Sequence, residues 1–102
     1  MKITKIKEFE SLLENISAKK FYSSQNIELI EITLKKSQKI PSHKNNVDAL
    51  FHIIEGNGIL RIDNNEYKLT KGDFLKISKN ENREWENNGD GDLVITVTKI
   101  MN

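Results

Sequence analysis

Few residues of this chain are able to carry chemistry. Its 102 residues include two histidines, His43 and His52, two arginines, Arg61 and Arg83, and no cysteine. Without cysteine, disulfides, thiolate metal sites and cysteine catalysis are excluded. The sequence contains neither a glycine-rich phosphate loop nor a nucleophile elbow, and its acidic residues are scattered. Acid–base chemistry by histidine and anion binding by arginine are the functions that remain.

The amino-acid composition limits the classes of molecule that the protein is expected to bind. The net charge is +1, and the lysine pairs Lys19-Lys20 and Lys35-Lys36 are short and separated. A nucleic-acid binder usually shows a basic stripe with arginines and stacking aromatics, so we expect no nucleic-acid partner. No apolar run is long enough to span a bilayer, and the N-terminus lacks the apolar core of a signal peptide. The sequence therefore predicts a cytoplasmic protein without membrane contact, with one domain over residues 1–102.

The first segment predicts a helix over residues of about 5–17. Phe9, Leu12, Leu13 and Ile16 fall at i, i+3, i+4 and i+7 and would share one helical face. Such a face normally buries its apolar stripe. We expect this short helix to cover the sheet or a partner subunit.

The rest of the chain predicts a β-barrel over residues of about 20–100. Short segments rich in β-branched residues alternate with Gly and Asn turns, a pattern typical of a sandwich or barrel. The predicted strands cover residues 27–34, 47–55, 59–63, 66–69, 74–78, 83–86 and 93–100.

Two blocks of sequence then resemble the cupin family. In the first, the family has a histidine, a second histidine two residues on, a glutamate four later and a glycine seven after that. In the second, it has a glycine, a proline six on, a histidine five beyond and an asparagine four later. The corresponding positions are His43, Asn45, Ala49 and Gly56, then Gly72, Ser78, Arg83 and Asn87. The resemblance implies an all-β, cupin-type double-stranded β-helix, or jelly-roll barrel, with the short N-terminal helix added.

The resemblance also implies where a metal would bind. Cupin enzymes typically hold a divalent metal with three histidines and a glutamate, which suits borderline cations. Of these four positions only His43 keeps a ligand type. Asn45 is a poor ligand, Ala49 has no donor atom, and Arg83 would repel a cation. We therefore predict no metal and no cofactor at this position.

Alternation along the strands predicts a ligand pocket instead. Alternate residues of a barrel strand point inward. This places the polar side chains of His43, Asn45 and Arg83 beside Phe51 and Trp85, over an apolar floor. A few converging polar groups in an apolar pocket are typical of a small-molecule site.

Arg83 is the strongest candidate for a functional residue. A guanidinium inside a barrel is costly unless a partner pairs with it. The partner is either an anionic ligand bound by the guanidinium fork or a group of the protein itself. The strand end could also be open to water. The internal candidates are Asp48, Glu81, Glu84 and Glu86.

Three functions remain open. The first is a non-catalytic, metal-free homodimer that binds a small ligand, with an anion as the candidate. The second is an isomerase-like enzyme, metal-independent or with a metal in an atypical arrangement, using His43 as general acid or base. No second catalytic group is evident, which favours a protein without catalytic activity but leaves the enzyme as an open alternative. The third is a dimeric structural or interaction protein, with His52 outside the barrel or in the interface.

Overall fold

The computed structural model describes residues 1, 3, 7–9 and 16–101. These residues form ten β-strands and no helix, so the predicted all-β fold is confirmed. No described segment is a helix able to cross a membrane. The strands are β1 (Lys7–Phe9), β2 (Ser17–Ser23), β3 (Ile27–Leu34), β4 (Lys39–His43), β5 (Asp48–Glu55), β6 (Asn57–Ile62), β7 (Asn65–Thr70), β8 (Phe74–Ile77), β9 (Arg83–Glu86) and β10 (Leu93–Ile100).

The strands pair in two antiparallel sheets that together make the predicted jelly roll. The six-stranded sheet has the order β1-β2-β3-β10-β5-β8, and the four-stranded sheet has the order β4-β9-β6-β7. Strand β10 lies between β3 and β5 and pairs with β3 over its whole length, from Leu93 opposite Leu34 to Ile100 opposite Ile27. This long ladder is the framework that positions the interior side chains.

The core follows the alternation expected of barrel strands. On β5, Ala49, Phe51 and Ile53 are buried, whereas His52 and Ile54 are exposed. Successive side chains of a strand point to opposite faces, so the buried set faces the other sheet. The remaining buried apolar residues are Ala18, Ile30, Leu34, Ile40, Ile59, Leu60, Ile77, Trp85, Leu93, Ile95 and Val97.

The N-terminal segment differs from the prediction. Lys7–Phe9 form β1 and pair with Ala18–Lys20 of β2, and Ser17 already belongs to β2, so the predicted helix is wrong at both of its ends. The physical reason is that β2 would otherwise expose unpaired N–H and C=O groups, which a neighbouring extended segment satisfies. The middle of the predicted helix, with Leu12 and Leu13, lies outside the described residues.

Gly56 makes the turn between β5 and β6. Its φ of +86° lies in the region that L-residues rarely adopt. A Cβ atom there would also collide with the carbonyl oxygen of Asp92. The turn therefore requires glycine for its conformation and for the close approach of the 87–92 loop.

Candidate functional site

A cavity of about 130 Å³ lies between the two sheets. The structure brings together at this cavity all five residues predicted to form the pocket: His43, Asn45, Phe51, Arg83 and Trp85. The other lining residues are aliphatic apart from one lysine: Ile30, Ile32, Ile40, Ile95, Val97 and Lys99.

The polar side of the cavity comes from the four-stranded sheet. His43 ends β4, Arg83 begins β9, and the two residues are direct cross-strand partners. Asn45 follows two residues after His43. Trp85 lies two residues beyond Arg83, so it shares the inward face. From the opposite sheet, Phe51 contacts Trp85 with ring centroids 5.1 Å apart and planes inclined at 39°.

Arg83 is a buried cation with few partners. The residue is 2% exposed. With the Asn45 amide oriented to donate to the Lys44 carbonyl at 3.3 Å, its side-chain oxygen accepts from Arg83 Nη2 at 2.6 Å. Arg83 Nη1 makes one long contact, 3.5 Å, to the Glu81 carbonyl oxygen. A guanidinium has five N–H donors, and the described residues engage only part of this capacity.

The predicted carboxylate partners of Arg83 are engaged elsewhere. Glu84 and Glu86 accept from Arg61, each at 2.8 Å. The Asp48 carboxylate accepts from the backbone N–H of Lys79 at 2.8 Å. Among the described residues, no carboxylate lies within ion-pair distance of Arg83, so its internal partners are the neutral oxygens of Asn45 and of the Glu81 backbone.

The carboxylate of Glu81 influences Arg83 only from a distance. It accepts from the Ser78 backbone N–H at 2.8 Å. Burial lowers the pKa of Arg83, and the negative charge of Glu81 partly opposes this effect. Arginine nevertheless stays protonated in proteins. Within the described part of the chain, the cavity wall therefore carries a buried positive charge without a carboxylate counter-ion.

His43 lies at the exposed rim of the cavity. Its Nδ1 is 3.0 Å from the carbonyl oxygen of Pro41. Because that carbonyl only accepts, neutral His43 carries its proton on Nδ1, and Nε2 is the acceptor. The Asn45 side chain, two residues on, is directed to Arg83 and to the Lys44 carbonyl.

The donor set at the family's metal position does not fit a transition metal. Ala49 is fully buried and has no donor atom, and the Arg83 guanidinium lines the same cavity. In the described part of the chain, no three His, Cys, Asp or Glu side chains come close enough together to hold an ion. Tight zinc sites have three or four such ligands, and His43 alone does not supply them.

Lys99 is a cavity residue that the sequence analysis missed. It lies opposite Glu28 in the β3–β10 ladder, and its Nζ is 3.8 Å from Glu28 Oε1. Glu28 Oε2 is also 3.4 Å from Lys20 Nζ. The alternation Leu93, Ile95, Val97, Lys99 was the available signal, because it places Lys99 on the inward face.

Other singled-out residues lie away from the cavity. His52 points outward, as predicted, and its ring contacts Phe74 at 5.9 Å. Lys76 is exposed, and its Nζ lies 3.8 Å from Asp48 Oδ2. Asn87 is a buried turn residue that donates to the carbonyls of Leu34 and Gly91 and accepts from Gly89.

No curated protein sequence matches the chain. An RmlC-like cupin with a double-stranded β-helix fold from Methanocaldococcus jannaschii is 18% identical, covering 99% of this chain and 93% of its own, with a TM-score of 0.81. A predicted oxalate decarboxylase from Thermotoga maritima is 16% identical, covering 95% and 92%, with a TM-score of 0.81. KdgF from a Halomonas species is 12% identical, covering 91% and 86%, with a TM-score of 0.78.

These structural similarities show the fold alone, because the identities are low. The sequence match is independent of them: the model of the cupin domain family covers residues 30–99, which include both blocks of the predicted motif. The jelly roll, the order of its strands and the inward positions of His43 and Arg83 agree with that match. The chain belongs to the cupin family.

Proposed function

We propose that this cupin is a metal-free binding protein that holds a small anion in its barrel, with Arg83 as the anchor. The observation that carries the proposal is the buried Arg83 guanidinium, which lines a cavity and has no carboxylate partner among the described residues. A buried charge is costly unless it is paired. An anion in the cavity would supply that pairing.

The chemistry of the site favours an oxyanion. A guanidinium fork binds carboxylate or phosphate through two parallel hydrogen bonds. Asn45 engages Nη2 and so positions the guanidinium plane. The donors that the described residues do not engage are available to a ligand, and the His43 tautomer with its proton on Nδ1 presents Nε2 at the rim. Asn45 is therefore proposed as a positioning residue for the anchor.

The binding test uses the tryptophan of the protein itself. Trp85 is the only tryptophan in the chain, is 2% exposed and lines the cavity. We expect formate, acetate, butyrate, phosphate or sulfate, titrated singly, to change its fluorescence saturably if one of them fits. Arg83→Met should abolish that change. Arg61→Gln is the matched control, because Arg61 pairs with three glutamates outside the cavity.

Two results would count against this function. The first is that none of the anions changes the fluorescence or raises the unfolding temperature of the protein. The second is that Arg83→Met, shown to be folded, binds the anion as tightly as the unmodified chain.

A second candidate function is a metal-independent enzyme with His43 as general base. The hydrogen bond from Nδ1 to the Pro41 carbonyl supports it, because it leaves Nε2 at the cavity rim as a proton acceptor. The test is exchange of α-protons of a bound carboxylate in D2O, followed by NMR. Exchange by the unmodified protein, and not by His43→Ala, would establish the enzyme. Binding without exchange would favour the binding protein.

We also propose that the protein is a homodimer that uses the outer face of its six-stranded sheet. On that face Phe74 of β8 is 63% exposed and lies near the exposed Ile54 of the neighbouring strand β5, and Tyr22 of β2, farther across the sheet, is 57% exposed. Exposed apolar patches of this kind often mark interfaces. Phe74→Glu should yield a monomer in sedimentation, whereas Tyr67→Glu on the other sheet should not. A monomeric unmodified protein would refute the proposal.

A further inference from the structure

We propose that the ligand is a small monocarboxylate with a compact apolar body; this rests on the proposed function. The charge of the cavity determines how many negative charges the ligand carries. Among the described residues, the arginine and lysine side chains that line it are Arg83 and Lys99. Lys99 lies 3.8 Å from Glu28, a carboxylate that it shares with Lys20, whereas Arg83 has no carboxylate partner among the described residues. Arg83 is therefore the cation of the cavity wall that lacks any neighbouring negative charge, and it matches one negative charge on a ligand.

A second carboxylate on the ligand would meet an unfavourable surrounding. The wall opposite the anchor is formed by Ile30, Ile32, Ile95 and Val97, which offer no hydrogen bond. Burying a second anionic group against these side chains would cost its hydration without return. Toward Lys99, a second carboxylate would meet the negative charge of Glu28, 3.8 Å from the Lys99 amine. Dicarboxylates and phosphate dianions are therefore disfavoured.

The cavity has a polar side and an aliphatic side, and this difference orients the ligand. Arg83 and Asn45 lie on the four-stranded sheet, and the aliphatic side chains of β3 and β10 lie on the six-stranded sheet. The carboxylate would face the guanidinium. The hydrocarbon would lie against Ile32, Val97 and the ring of Phe51, where apolar surface leaves water.

The volume limits the size. The cavity of about 130 Å³ is slightly smaller than an apolar protein cavity of roughly 150 Å³ that accepts benzene. It therefore holds about six non-hydrogen atoms by that comparison. Butyrate has this size, and valerate exceeds it slightly. Shorter acids would leave part of the apolar wall unfilled.

The experiment is a chain-length series read by Trp85 fluorescence and calorimetry. The probes are acetate, propionate, butyrate, valerate, hexanoate and octanoate, with butyramide, succinate and phosphate as comparators. We expect affinity to rise about four-fold for each added methylene up to butyrate or valerate and then to fall. Butyramide, which lacks the charge, should bind at least about ten-fold more weakly than butyrate.

Variants of Ile32 test the position of the hydrocarbon. Ile32→Ala enlarges the cavity and should move the optimum to a longer acid, and Ile32→Phe should move it to a shorter one. Ile62→Ala and Ile62→Phe are the matched controls, because Ile62 is also partly buried but does not line this cavity. Each variant is first shown to unfold cooperatively. If one pair member fails to fold, the other still reports the direction of the shift.

The outcomes separate the two proposals. Tighter binding of succinate or phosphate than of every monocarboxylate, with dependence on Arg83, would overturn the monocarboxylate inference and leave anion binding in place. Affinity independent of chain length, or an optimum unmoved by both Ile32 variants, would also overturn it. Absence of binding by every anion would overturn both.

Discussion

Replacing Arg83 by methionine should stabilise the ligand-free protein. The residue is 2% exposed, and within the described residues it makes one short hydrogen bond and no ion pair. Burying an ion costs several kcal/mol, and a hydrogen bond to a charged group returns about 1.5–3 kcal/mol. Methionine has a similar reach and no charge to desolvate. We expect the free energy of unfolding to rise by about 1–2 kcal/mol, or about 4–8 °C in Tm for each kcal/mol.

The assay is urea unfolding in a buffer free of carboxylates and phosphate, with calorimetry as a second measurement. Anions that bind the native state would otherwise stabilise the unmodified protein and hide the effect. Arg61→Met is the control, and it should lose stability because it leaves Glu66, Glu84 and Glu86 without their partner. A loss of about 1 kcal/mol or more in Arg83→Met would show that the guanidinium is a structural element, which refutes the reasoning.

Three further results are expected. Gly56→Ala should lower the free energy of unfolding by at least about 2 kcal/mol, because it combines a positive φ with a collision. Gly72→Ala, with a similar φ and open space, should cost only about 1–2 kcal/mol; equal losses would contradict this. Hydrogen bonds from Arg61 lower the pKa of Glu86, so their stabilising effect should be lost as the pH falls below about 4.5. In urea titrations, Glu86→Gln should reduce this acid dependence; an unchanged profile would contradict the assignment. Asn87→Ala should be destabilising by about 1–3 kcal/mol, because it removes the donor to the buried carbonyl of Leu34 and to the carbonyl of Gly91; a neutral effect would refute that role.

The strands with clear alternation could be predicted from the sequence. Residues 27–34, 83–86 and 93–100 were predicted with the bounds that the structure shows for β3, β9 and β10. Strand β2 was missed because its residues are mostly polar and only Ala18 is buried. Strand β4 was missed because it contains Pro41. A proline is tolerated at the edge of a sheet, where β4 lies, because its missing N–H leaves no ladder bond broken.

The prediction of a helix near the N-terminus failed at its described ends for a different reason. Phe9 and Ile16 fit a helical face by periodicity, but periodicity does not register the presence of an unpaired strand edge nearby. In the structure, Phe9 is the partner of Ala18 in the β1–β2 ladder. A tertiary contact therefore overrode a local preference, which is common for short amphipathic segments.

The candidate site was partly accessible from the sequence. Arg83 and His43 are forty positions apart, and strand alternation together with the motif spacing placed them in one interior, where they are cross-strand partners. The compensation of Lys99 by Glu28 depends on the register of β3 against β10, which alternation alone does not specify. The same holds for the ion pairs that remove Glu84 and Glu86 from Arg83.

The most direct test of anion binding at Arg83 is 15N NMR of the arginine Nε–H groups during a butyrate titration. The chain has two arginines, so Arg61, which is held by glutamates outside the cavity, serves as an internal reference. The Arg83 signal should shift saturably with the same Kd as the Trp85 fluorescence, while the Arg61 signal stays in place. An Arg83 signal that does not move while Trp85 titrates, or two arginine signals that drift together with added salt, would contradict the account.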